Sequence, residues 1–198
     1  MKAVIFDLGN VLIHYDHRST CTGLAAVSQV DAHTISQLLT EVGQDAGLGK
    51  IDLNDLHIFL QERAGATPDL DAFWMALCAG MARNDAALAY AAKLQERPGV
   101  AVAVISNTND GHVLWLDEHA PELAEFDLVM MSNEVGLHKP DPEIYRLALE
   151  LLDLSPAQAL FIDDLPANVA GAQALGMTGI VHSDWSVTRP LIEAWLAE

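Results

Sequence analysis

Basic residues are scarce. The 198-residue chain carries 10 Lys and Arg against 28 Asp and Glu, a formal net charge of −18. Such a chain repels phosphate backbones at long range, which argues against nucleic acid as a partner. Cysteine is scarce too. The two cysteines, Cys21 and Cys78, lie far apart without zinc-ligand spacing. They read as buried thiols in a reducing compartment. Long apolar runs are missing. The run Ala3 to Phe6 is too short for a signal peptide or a membrane span, and no long uncharged segment follows. The expectation is a cytoplasmic protein with no membrane partner. Gly47-Leu48-Gly49-Lys50 lacks the spacing and the Ser/Thr of a Walker loop. His14 and His17 are three apart, but nothing nearby completes a transition-metal site.

What is present points to a globular chain, with 51% hydrophobic and 19% charged residues. The length suits one compact domain, or a core with a small lid. The acidity sets a problem: an anionic substrate would need local positive charge, from a metal ion or a well-placed Lys.

Ala3 to Phe6 reads as a buried strand running into a turn at Asp7, Gly9 and Asn10. From about Arg18 to about Met81 four amphipathic helices are expected and no strand. One starts at Asp52 and carries Leu56, Phe59 and Leu60 on one face. Another follows Pro68 with Leu70, Phe73, Trp74 and Leu77, the last three read as packing residues. From about Asn84 strands and helices alternate. The strands are Val100 to Ile105, Leu128 to Met131, Ala159 to Ile162 and Gly179 to His182. Helices span Ala86 to Gln95, the region of Leu114, Pro140 to Leu152, Ala167 to Leu175, and a last stretch ending in Trp195. This alternation predicts an α/β fold, a doubly wound parallel sheet with helices on both faces. Ligands bind outside the carboxyl ends of such strands. Asp7, Ser106 and Asp163-Asp164 all fall at predicted strand ends, so three polar clusters converge on one sheet edge.

Four short motifs occur in order: Phe6-Asp7-Leu8-Gly9-Asn10-Val11-Leu12, Ser106-Asn107, Lys139-Pro140, and Asp163-Asp164 with Asn168. Together they resemble the motifs of the haloacid dehalogenase (HAD) superfamily over almost the whole chain. The resemblance implies a Rossmann-like core from residues 1–14 and 84–198, with a helical cap, residues 15–83, inserted after the first strand. A hinged lid of this kind would exclude water during reaction.

The chemistry follows from the residue types. A carboxylate can attack a phosphoryl group and split one hard hydrolysis into two easier steps. Carboxylate and phosphate repel each other, and Mg²⁺ offsets that repulsion. The resemblance implies that Asp7 is the nucleophile and that Asp7, Asp164 and the backbone carbonyl of Gly9 hold Mg²⁺. Asp163 and Asn168 would lie outside them, ordering water or Lys139. Ser106 and the Asn107 backbone N–H would hold phosphoryl oxygens, and Lys139 would balance charge on the phosphate and on Asp7. Standing alone, Asp7 would read as a turn residue, Ser106 and Asn107 as loop polars, Lys139 as a solvated lysine, and Asp163-Asp164 as a helix cap.

One position departs from the pattern. Phosphatases of the superfamily usually carry a second Asp two residues after the nucleophile, which protonates the leaving group. Here that residue is Gly9. His14, Asp16 and His17 are the substitute candidates, His being suited to proton transfer near neutral pH. Arg18 could instead contact substrate or lie on a helix surface. The Asp-Leu-Gly-Asn sequence resembles a subgroup of bacterial sugar phosphatases, and also the phosphatase domain of soluble epoxide hydrolases. The expected substrate is therefore a small phosphate monoester, a sugar phosphate in particular. The competing expectations are a 2-haloacid dehalogenase, which needs neither the acid nor the metal, a receiver-like phosphorylation switch, and a family member that binds phosphate without turnover. The chain is expected to be a monomer or a homodimer.

Overall fold

The computed structural model describes residues 1–65 and 68–198. Five strands form one parallel sheet in the order β5-β4-β1-β6-β7: β1 (Lys2–Phe6), β4 (Val100–Ser106), β5 (Leu128–Met131), β6 (Ala159–Asp163) and β7 (Thr178–Val181). β1 is central, with Phe6 beside Val104 of β4 on one side and Ile162 of β6 on the other. Chain order therefore reverses at β1, and a crevice opens beyond its carboxyl end.

Strand residues alternate between faces, so each β1 side chain joins one of two cores. Val4 and Phe6 pack with Val102, Val104, Leu160 and Ile162 under α5 (Asp85–Gln95) and α10 (Trp185–Ala197). Ala3 and Ile5 pack with Ala103, Ile105 and Phe161 on the opposite face, under α8 (Pro142–Leu151) and α9 (Pro166–Ala174). Both faces are covered, which is why these strands are uniformly apolar in sequence.

A third apolar cluster lies apart from the sheet. Helices α1 (His17–Ala26), α2 (Ala32–Gly47), α3 (Leu53–Ala64) and α4 (Leu70–Leu77) pack on one another around Leu24, Ile35, Leu56, Leu60 and Phe73. The expected cap at Asp52 is explicit. Its carboxylate accepts from Asp55 N–H, and the Asp55 carboxylate accepts from Asp52 N–H. Two crossings join this unit to the sheet, and they pair as the antiparallel strands β2 (Ile13–Tyr15) and β3 (Met81–Arg83). Neither strand was anticipated; they flank the stretch from about Arg18 to about Met81 in which no strand was expected. Three residues are too few to show period-2 alternation.

Two other boundaries move. The helix expected from Pro140 begins at Pro142, because the Asp141 carboxylate caps it by accepting from Glu143 N–H. A short helix, α7 (Ser132–Val135), follows β5 without a sequence signal. The remaining helix, α6 (Asp110–His119), starts from an Asn109 cap. Contact between the helical unit and the sheet edge is close at Gly49. Its φ is +67°, and a Cβ there would lie 2.0 Å from the Asn133 carbonyl oxygen, so only glycine fits.

Candidate active site

β1 delivers Asp7 to the crevice. The ladder continues one residue past the strand, with Asp7 N–H donating to the Ile162 carbonyl at 2.8 Å. The carboxylate is thereby fixed at the centre of the sheet edge, where it is buried. Lys139 approaches from the loop before α8. Its ammonium donates to Asp7 Oδ1 at 2.7 Å, to Asp163 Oδ2 at 2.8 Å and to the Ile105 carbonyl at 2.7 Å. All three donor positions of the ammonium are used, and the side chain is 1% exposed.

Asp163, at the end of β6, is fully enclosed. Its Oδ1 accepts from Leu165 N–H at 2.8 Å, and Asn168 Nδ2 lies 3.0 Å from both of its oxygens. Asn168 is held in turn by the Tyr145 hydroxyl, which donates to its carbonyl. Asp163 is thus occupied with orienting Lys139. Asp164 is more open, and its Oδ2 accepts from Asn10 Nδ2 at 3.0 Å. Asn10 has φ +57°, a left-handed conformation that Asn tolerates better than most residues. Its Oδ1 accepts from Tyr15 N–H at 3.2 Å, so one side chain ties the first turn to both Asp164 and β2.

Asp7, Asp163 and Asp164 each offer an oxygen, all within 4.8 Å of one another. Three carboxylates against one ammonium leave two negative charges uncompensated if all are ionised. The Asp7 carboxyl is raised to about 6, above all by burial; the Lys139 ammonium opposes the rise and the Asp163 carboxylate adds to it. An all-oxygen donor set with this charge deficit suits a hard divalent cation such as Mg²⁺. Gly9 leaves room beside it, since a Cβ there would sit 3.9 Å from Asp7 Oδ2 and meet nothing else.

Ser106 ends β4, buried beside the same crevice. The Asn107 side chain clamps the Lys139 backbone: Oδ1 accepts from Lys139 N–H at 2.8 Å, and Nδ2 donates to the Lys139 carbonyl at 2.9 Å. That clamp was not legible in the sequence, which pointed only to the Asn107 backbone. A cavity of about 340 Å³ opens over Gly9, Ser106 and Asn107 and runs up between the sheet edge and helices α1–α4.

The three acid/base candidates separate. His17 lines the cavity, with Nε2 3.1 Å from Ser36 Oγ and Nδ1 3.4 Å from the Tyr15 hydroxyl. His14 is exposed on β2 and is not among the lining residues. Asp16 is exposed, does not line the cavity, and caps α1. The Ser19 hydroxyl and Arg18 N–H hold its carboxyl below the ordinary value, the wrong direction for a proton donor at neutral pH. Arg18 is exposed at the start of the same helix. Two further histidines, His112 and His138, line the cavity without a sequence signal. Of the three α4 residues read as packing, Phe73 is enclosed and the Trp74 indole donates to the Gly111 carbonyl, whereas Leu77 also reaches the cavity.

Known proteins resemble this chain in sequence and fold. A sesquiterpene phosphatase of Aspergillus oryzae is 32% identical over 92% of this chain and 90% of its own. A ribulose-1,5-bisphosphate 5-phosphatase of Halopiger xanaduensis is 28% identical, over 90% of this chain and 83% of its own. Several other relatives are much longer, and the chain spans only 17% to 36% of those proteins. An HAD family enzyme of Bacteroides thetaiotaomicron, solved with magnesium and inorganic phosphate, superposes with a TM-score of 0.84 at 25% identity, covering 94% of this chain and 98% of that one. The family model for haloacid dehalogenase-like hydrolases matches residues 1–176, which includes every strand end that builds the carboxylate cluster, and the chain belongs to that family.

Proposed function

We propose that this chain is a Mg²⁺-dependent phosphatase that hydrolyses a small phosphate monoester through Asp7. The observation that carries the reading is the Lys139 ammonium bridging Asp7 and Asp163, with Asp164 in the same cluster, below the cavity that opens over Gly9, Ser106 and Asn107. Asp7, Asp164 and the Gly9 carbonyl would hold Mg²⁺, which supplies the positive charge that lets a carboxylate approach a phosphate. Ser106 and the Asn107 backbone N–H hold phosphoryl oxygens, and Lys139 neutralises charge at Asp7 and the phosphate. An Asp7 carboxylate oxygen attacks phosphorus and the ester P–O bond breaks, releasing the alcohol. Water then attacks the phosphorus of the acyl phosphate, which frees phosphate and restores Asp7. Asp163 and Asn168 keep Lys139 in place throughout. Among the acid/base candidates His17 is best placed to meet the leaving oxygen, because it borders the cavity.

Helices α1–α4, with residues 15–83 as the boundary, act in this reading as a cap that shuts water out of the crevice. The buried free thiols Cys21 and Cys78 fit a cytoplasmic setting. Among the described residues no helix is long and apolar enough to cross a membrane.

The absence of a side-chain acid at Gly9 also fits a 2-haloacid dehalogenase, in which Asp7 would attack carbon and a halide would leave unprotonated. Phosphate release from p-nitrophenyl phosphate with Mg²⁺ and with EDTA separates the readings. Metal-dependent release supports the phosphatase. No release from folded protein supplied with Mg²⁺ removes it, and directs the search to haloacids and to phosphate binding without turnover.

A further inference from the structure

The cavity above the carboxylate cluster is unlike the rest of the molecule. The chain carries 38 charged residues, 28 acidic and 10 basic, yet among the described residues lining this space there is no Asp, Glu, Lys or Arg. Its upper walls are Leu39, Val42, Leu56, Leu77, Met81 and Leu116, drawn from α2, α3, α4, β3 and α6.

The polar side chains on its walls are largely engaged with one another. The Tyr15 hydroxyl, His17 and Ser36 form one chain of contacts. Thr40 Oγ1 donates to the Ser36 carbonyl at 2.8 Å. Asn107 is committed to Lys139, and Asn109 to the start of α6. Two further wall atoms, Thr20 Oγ1 and His112 Nε2, have no hydrogen-bond partner and are shut off from solvent. Burial pushes His112 down to about 4 and His138 below its ordinary value, so neither carries charge here at neutral pH.

A polyhydroxylated or doubly phosphorylated leaving group would lose its water in this chamber and find few partners. Each hydroxyl buried without a partner is costly, and a second phosphate would meet no cation. An apolar group gains from the same burial, by about fourfold in affinity per methylene. The volume, about 340 Å³, lies at the lower end of small-molecule sites, which run from roughly 300 to 1,000 Å³.

We infer that the chamber selects the monophosphate ester of an uncharged, predominantly apolar alcohol, with the phosphoryl group at Asp7 and the hydrocarbon under the helical unit. This narrows the phosphatase reading and rests on it. It differs from the sugar phosphate expected from the Asp-Leu-Gly-Asn resemblance, and the test sets the two against each other. Gly43 supplies the handle for a test. It lines the chamber within α2, and a Cβ there would meet no heavy atom within 4 Å. Gly43 is an exposed lining residue, so leucine there favours the helix and is expected to narrow the space a substrate would use.

The test compares ethyl, butyl and hexyl phosphate with glucose 6-phosphate, for wild type and Gly43→Leu with Mg²⁺ present. Calorimetric binding of ethyl and hexyl phosphonate is measured alongside. kcat/KM is expected to rise by up to about fourfold per methylene, with hexyl phosphate above glucose 6-phosphate by more than about tenfold. Gly43→Leu should cut the hexyl-to-ethyl ratio by about tenfold. A flat alkyl series, or glucose 6-phosphate equal to hexyl phosphate, overturns the inference while leaving the phosphatase reading standing. If no ester is hydrolysed, that reading fails and the phosphonates decide. Tighter binding of hexyl than ethyl phosphonate, lost in Gly43→Leu, upholds the apolar chamber. Equal binding, or none, overturns it.

Discussion

The Lys139 ammonium lies 2.7 Å from Asp7 and 2.8 Å from Asp163, and with the Ile105 carbonyl these contacts use all of its donors. It therefore acts as a rigid positive post between two buried carboxylates rather than as a mobile surface cation. Lys139→Met keeps the bulk and removes the charge. Breaking a buried pair from one side costs about 3 to 5 kcal/mol. The same loss is expected here, read from the denaturation midpoint at pH 7, together with loss of turnover. An unfolding free energy within about 1 kcal/mol of wild type would show that the post is not structural.

Excess negative charge in the cluster predicts stabilisation by metal. A ligand at about 100 times its dissociation constant stabilises the folded state by about 2.7 kcal/mol. Mg²⁺ should raise the melting temperature in proportion to the logarithm of its concentration. Asp164→Asn should flatten that response. An unchanged response in Asp164→Asn would place the ion elsewhere.

Asn10 supports Asp164 from the first turn, at 3.0 Å. Asn10→Gly keeps the left-handed backbone at φ +57° and removes the side-chain contacts to Asp164 and to Tyr15 N–H. Losing an outer partner of a metal ligand typically weakens metal affinity by about 10- to 100-fold. The Mg²⁺ concentration for half-maximal activity should rise by about that factor, with kcat at saturating Mg²⁺ much less affected. An unchanged Mg²⁺ requirement would reduce Asn10 to a turn residue.

His112 gives a pH signature in stability. Burial lowers it from an ordinary value near 6.5 to about 4. Between these values the unfolded chain binds a proton that the folded chain refuses, so stability rises with pH across that window. Lowering the pH from 7 to 5 should cost wild type about 2 kcal/mol more than His112→Gln. Equal losses in the two proteins would mean that His112 protonates normally when folded.

The sheet and its polar edge were legible because apolar runs stop abruptly at polar residues. Asp7 after Phe6, Ser106 after Ile105 and Asp163 after Ile162 all stand at or just past strand ends in the structure. The amphipathic helices were legible from the spacing of their apolar residues, as in the helix that starts at Asp52. What stayed hidden is whatever depends on distant segments meeting. β2 and β3 are three residues each and lie 65 residues apart, so neither has a pattern of its own. The Asn107 clamp on Lys139 spans 32 residues. The chamber draws Leu39, Leu77 and Leu116 from different helices, and each looks like ordinary core in its own helix. His14, Asp16 and His17 are adjacent in sequence, yet β2 and the first turn of α1 turn only His17 toward the cavity.

The most direct test looks for the phosphoryl group on Asp7. Protein mixed with a good phosphate ester and Mg²⁺ is quenched in acid within one turnover, digested, and read by mass spectrometry. The peptide containing Asp7 should carry one phosphoryl group, and Asp7→Asn should yield neither the modified peptide nor phosphate. Full phosphate release by Asp7→Asn, or a wild-type burst with the phosphoryl group on another residue, would contradict the assignment of Asp7 as the nucleophile.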